Sequence, residues 1–124
     1  MTVALLGGDL LIASRITAAA ERAGVLLTRV DDPTALPPAS HVRLLLVDWG
    51  DRAADWGERI VGWCAAAPES ARPRVLLFGP HADLGAHAAA RAAGLGPMLA
   101  RSKLVVDLDS LVRHPWPLGL GEPQ

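Results

Sequence analysis

Asp48 is the residue best placed to do chemistry. It follows the apolar run VRLLLV at residues 42–47, so a buried strand would carry its carboxylate to one edge of a sheet. A carboxylate there can accept a phosphoryl group, or it can simply end the strand. Gly7, Gly8 and Asp9 follow a first apolar run, Gly79 follows another, and Arg101 follows a short one near the end. Asp9 can hold a metal ion or cap the helix that begins after it, and capping is favoured because no second acid adjoins it. Arg101 either reaches Asp48 across the sheet edge, as a permanent salt bridge, or stands in solvent. Gly7 and Gly8 could cradle an anion on backbone N–H groups, but Asp9 would repel it, and neither the dinucleotide fingerprint nor the P-loop spacing is present.

The elements that must position these residues follow from the pattern of apolar runs and breakers. Residues 3–6 read as a strand, and a helix follows with Leu11, Ile16, Ala19, Ala20 and Ala23 on its inner face and Gly24 as its stop. Residues 25–30 read as a second strand, and the prolines at 33, 37 and 38 leave mostly loop before His41. The central strand at 42–47 leads into a helix over 51–67, with Trp56, Ile60 and Trp63 inward. A strand at 74–78, a helix at 81–93, a strand at 98–100 and a short helix at 107–114 complete the chain. This alternation predicts a doubly wound α/β fold, a five-stranded parallel sheet with helices on both faces and the second helix shortened or absent. Residues 1–114 form one domain in this reading, and 115–124 are a Pro/Gly-rich tail.

Composition excludes more than it identifies. The chain has 124 residues, half of them hydrophobic, and a formal net charge of −1, so no strong field recruits nucleic acid or anionic lipid, and neither is expected as a partner. Cys64 is the only cysteine, which excludes a disulfide framework, suits a reducing compartment and marks a small buried filler. No signal peptide or membrane span is read from the N-terminal residues, and a cytoplasmic location is expected. His41, His81, His87 and His114 lack ligand spacing, and one helix would not present His81 and His87 on a common face. Trp49 is expected to be partly exposed at the sheet edge, and Trp116, between two prolines, is the best candidate for an interface anchor.

Three segments together resemble the receiver domain of bacterial response regulators: LLLVDWGD at 44–51, RVLLFGPHAD at 74–83, and AAGLGPMLARSKLVVDLDSLV at 92–112. The resemblance spans residues 2–114 and implies the flavodoxin-like strand order 2-1-3-4-5. It places Asp48 at the family's phosphorylated aspartate, Gly79 at its Ser or Thr, and Arg101 at its Lys. The two acids that hold Mg²⁺ in that family fall on Gly7 and Gly8, or on Gly8 and Asp9 if the alignment shifts by one residue.

Losing that metal has a calculable cost. An unscreened charge pair near 4 Å costs about 4 kcal/mol at an effective dielectric of 20, or about a thousandfold or more in rate. The resemblance therefore implies a degenerate pseudo-receiver, a stand-alone binding module of a two-component or phosphorelay system, with no enzyme activity and no cofactor. Protein partners are expected, with a homodimer through residues 81–114, the face by which the family often pairs. The alternatives are a receiver still phosphorylated at Asp48, with Asp9 or Asp51 recruited to Mg²⁺, and a small-molecule or anion-binding protein using the edge around Gly7, Asp48 and Gly79.

Overall fold

The structure, a computed structural model, describes residues 2–114. The tail at 115–124 and the anchor assigned to Trp116 lie outside the described residues. Strands β1 (Thr2–Leu6), β2 (Leu26–Val30), β3 (Val42–Asp48), β4 (Arg74–Gly79) and β5 (Met98–Ala100) form one sheet in the order β2-β1-β3-β4-β5. Every pairing is parallel. The architecture is the doubly wound parallel sheet that the alternation of elements predicts, in the flavodoxin-like strand order that the resemblance implies.

β1, β3 and β4 form because their largely apolar stretches can be buried on both faces of a parallel sheet, whereas the edge strand β2 carries Thr28 and Arg29 and is only partly buried. Alternate residues then feed two cores. Val3, Leu5, Leu44, Leu46 and Phe78 pack against α1 (Leu10–Ala23) and α4 (Arg101–Arg113). Ala4, Leu6, Leu45, Val47 and Leu77 pack against α2 (Trp56–Ala65) and α3 (Leu84–Ala92). Between β2 and β3 there are only two 3₁₀ turns, Pro33–Ala35 and Ala39–His41, as the prolines require. Among the described residues no helix is long and apolar enough to cross a membrane.

Four helices differ from the sequence reading. In α1 the inner face begins at Ile12, which is one turn before Ile16, and Leu11 points outward at 69% exposure. The helix after β3 starts at Trp56 rather than 51, because Asp48 accepts from the Gly50 amide and winds Trp49–Asp51 into a 3₁₀ turn. The next helix starts at Leu84, capped by the Asp83 carboxylate on the Ala86 amide. That start leaves His81 in a turn, where its carbonyl accepts from His87 Nε2 at 2.7 Å and the two rings meet edge to face, so a common helix face is not needed to bring them together. The last helix begins at Arg101, immediately after β5, because Leu104, Leu108 and Val112 form one continuous stripe against α1.

The loop after β2 is tied down electrostatically. Arg59 on α2 donates to both carboxylate oxygens of Asp32, at 3.1 and 3.2 Å. The Thr34 hydroxyl and amide, together with Arg59, hold Asp32 at about 2, below its ordinary 3.8. A depressed native pKa gives stability that is present above the ordinary value and lost as pH falls through the native one. Asp32→Asn should therefore melt below the native chain at neutral pH, and the gap should close between about pH 4 and about pH 2, read by thermal denaturation.

Candidate functional site

β3 delivers Asp48 to the carboxyl edge of the sheet, where α1 and α4 both begin. The Asp48 side chain is 0% exposed, and both of its oxygens are engaged. Oδ1 accepts from the Gly50 amide at 3.1 Å, and Oδ2 accepts from Arg101 Nη2 at 2.6 Å. Arg101 reaches this far because α4 starts at Arg101 itself, and its guanidinium lies over the Phe78 ring. Its other terminal nitrogen faces Asp9 Oδ2 at 3.4 Å. Burial pushes the Asp48 carboxyl above the ordinary carboxylate range, the Arg101 charge opposes that shift, and the nearby Asp51 and Asp9 add to it.

Asp9 is first a helix cap. Its Oδ1 accepts from the Ile12 amide at 2.9 Å, and that bond, assisted by Arg101, lowers its pKa. Gly7 and Gly8 form a left-handed turn, with φ of 79° and 91°. The Gly7 amide donates to the Val30 carbonyl and the Gly8 amide to Asp51 Oδ2, both at 2.9 Å, so neither remains to cradle an outside anion. Arg29 on β2 donates to the Gly8 carbonyl. Asp51 thus closes the turn. A Cβ on Gly7 would meet Asp51 Oδ2 at 3.1 Å and the Trp56 ring at 3.4 Å. The space beside the Gly7–Gly8 turn is filled by the Asp51 carboxylate, which follows the neighbouring strand β3.

Gly79 is closed in a similar way. A Cβ there would lie 3.1 Å from Met98 Sδ and 3.2 Å from the Gly50 nitrogen, tighter than ordinary packing allows for an added hydroxyl-bearing side chain. Trp49 is buried rather than partly exposed. The chain turns inward after Asp48, the indole N–H donates to the Ala86 carbonyl at 3.0 Å, and Arg52 covers the ring. Trp56 is buried, while Trp63 is half-buried and donates to the Pro37 carbonyl. Cys64 is also half-buried, and burial raises its thiol pKa.

The structure therefore brings Asp48, Asp9, Arg101 and the Gly7–Gly8 turn to one edge, with Gly79 beside Gly50 below them. Sequence reading considered Asp51 only as a substitute metal ligand, and it did not single out Arg29. The Gly8–Asp51 bond joins residues 43 apart, and the only local sign of it is an acid shortly after a strand end, facing glycines that have no side chains of their own. The donor set does not fit Mg²⁺. That ion needs at least one or two free carboxylates in octahedral geometry, whereas Asp48 is committed to Arg101 and Gly50, and Asp51 to Gly8. Among the described residues, no group of three or more His, Cys, Asp or Glu is placed to hold a metal ion.

No family model matches the chain, and neither a curated protein nor a solved structure matches it. The class defined by the fold alone is an α/β flavodoxin-like protein.

Proposed function

We propose that this protein is a pseudo-receiver, which keeps the receiver shape and acts in signalling by binding other proteins without being phosphorylated. The observation behind this reading is the state of Asp48: fully buried, with both oxygens engaged. Phosphoryl transfer to a carboxylate needs an approachable oxygen in line with the leaving group and cationic neutralisation of the incoming phosphate. Here Arg101 covers one oxygen of Asp48, and of the two positions that would bring the metal, Gly7 is closed by Asp51 and Gly8 by Ile12.

The same Arg101–Asp48 pair gives the module a fixed shape. It joins the start of α4 to the end of β3, so the α1–α4 face is held in one arrangement. That face has an apolar groove of about 410 Å³, floored by Ile12 and Val105 and flanked by exposed Leu11 and Val106, with Asp9 and Arg101 at its head. Exposed aliphatic side chains beside a groove are what a protein partner would cover. Pairing through residues 81–114 is the narrower form of the proposal. α3 offers exposed Leu84 there, but Leu104, Leu108 and Val112 in the same stretch are already buried against α1.

The test is tryptophan fluorescence during titration with millimolar Mg²⁺ and then beryllofluoride, comparing the native chain with Asp48→Asn. Trp49 adjoins Asp48 and reports on the site. No Asp48-dependent change is the expected result. A saturable change in the native chain that Asp48→Asn abolishes would restore phosphorylation at Asp48 as the switch.

A further inference from the structure

The groove between α1 and α4 offers two different surfaces. Leu11 and Val106 stand exposed on its rim, where a protein partner would cover them. Inside the rim the walls belong to the core. Ile12 is buried beneath α1, and half-buried Val105 packs against the same core from α4. The space they line is about 410 Å³, within the roughly 300–1,000 Å³ of small-molecule pockets.

The charges around that space decide what kind of apolar molecule matches it. Asp9 accepts from the Ile12 amide and faces Arg101 at 3.4 Å, and Arg101 is committed to Asp48 at 2.6 Å. Toward the end of α1, Arg22 pairs with Asp109 at 2.8 Å and ties the two helices together. Arg15 lies between these ion pairs, one turn after Leu11 on the same side of α1. Among the described residues it has no carboxylate within ion-pair distance. Asp9 and Arg101, the other charged residues of the lining, are answered within the chain, so Arg15 is the charge that an occupant can neutralise. A cationic occupant would meet Arg15 as a like charge, and a second acidic group on the occupant would meet Asp9.

We propose that this groove binds a small monocarboxylic acid, with its aliphatic body between Ile12 and Val105 and its carboxylate on Arg15. The body supplies most of the affinity by leaving water, and Arg15 supplies the choice of charge. The site goes beyond the pseudo-receiver reading and does not rest on it, since no step involves phosphorylation of Asp48.

Methyl NMR on the full chain tests it, with sodium octanoate and octylammonium chloride as probes of equal chain length and opposite charge, both below their micelle concentrations. Octanoate should shift the Ile12, Val105 and Val106 methyl signals saturably, and it should bind about tenfold tighter than octylammonium. Arg15→Glu should reverse that order. The methyl signals of Leu45 and Leu77, in the core on the other face of the sheet, should be unchanged in the variant, which shows that the fold survives. No saturable shift with octanoate at millimolar concentration would overturn the proposal. Equal affinity for the two probes, or an order that Arg15→Glu leaves unchanged, would also overturn it, by leaving the groove an apolar surface without a choice of charge.

Discussion

Arg101→Ala should destabilise the protein by about 2 kcal/mol, and adding Asp48→Asn to it should recover much of that loss. Removing one partner of a buried ion pair typically costs about 3–5 kcal/mol, because the other charge is left uncompensated in a poorly polarisable site. Here only one partner is deeply buried. The Asp48 side chain is 0% exposed but that of Arg101 is 42% exposed, so solvent screens part of the interaction and the lower figure applies. The rescue separates this account from simple loss of packing over Phe78. If Arg101 acts by neutralising Asp48, the two substitutions interact strongly, and the double variant is more stable than the sum of the singles by about 1 kcal/mol or more. Urea denaturation of the four proteins measures this coupling. Strict additivity would mean that Arg101 contributes by covering the ring and that the short contact with Asp48 adds nothing.

The pH dependence of the same proteins has a defined sign. Burial raises the native pKa of Asp48, so its protonated form is favoured in the fold, and this contribution is fully present below the ordinary carboxylate pKa and lost as pH rises through the native value. Asp48→Asn should accordingly gain on the native chain as pH rises toward neutrality, the opposite of the trend for Asp32→Asn.

How much of this was legible in the sequence depended on how local each cause was. The central strands were legible because a parallel strand buried on both faces is a short, nearly continuous apolar run, as VRLLLV is but for Arg43, bounded by breakers. The doubly wound sheet followed from the alternation of elements, and its strand order from the resemblance in three segments. Helix starts were less legible. Asp48 spends one oxygen on the Gly50 amide and caps a 3₁₀ turn at Trp49–Asp51, and α2 starts only after it, at Trp56. The start of α4 has no side-chain cap to announce it, so the stripe of Leu104, Leu108 and Val112 was the better guide. The Arg101–Asp48 pair was one of two readings left open, and the start of the helix determines its geometry. The contact of Asp51 with Gly8 was not legible, since it depends on how the edges of β1 and β3 stand side by side. The burial of Trp49 was missed for a similar reason: its partner, the Ala86 carbonyl, lies in α3.

Installing an acid pair at Gly7 and Gly8 should not create a metal site; it should strongly destabilise the protein. Gly7→Asp with Gly8→Asp places side chains at two positions of positive φ, where a residue with a Cβ typically costs about 1–2 kcal/mol. The new Cβ at position 7 would stand 3.1 Å from Asp51 Oδ2, and that at position 8 would stand 3.1 Å from Ile12 Cγ2, so both neighbours must give way. The carboxylate at position 7 would also face Asp51 with like charge, and Asp51 cannot retreat without leaving the Gly8 amide unpaired. Together these effects should cost about 3–5 kcal/mol, a large share of the roughly 5–15 kcal/mol that holds a domain of this size together. Urea denaturation with and without millimolar Mg²⁺ reads the outcome. The expected result is a large drop in stability in both conditions, because the ion would have to displace Asp51 from the turn before it could find its ligands. A well-folded variant that Mg²⁺ stabilises by more than about 1 kcal/mol would show the opposite. Asp51 would then be an occupant that yields to the metal.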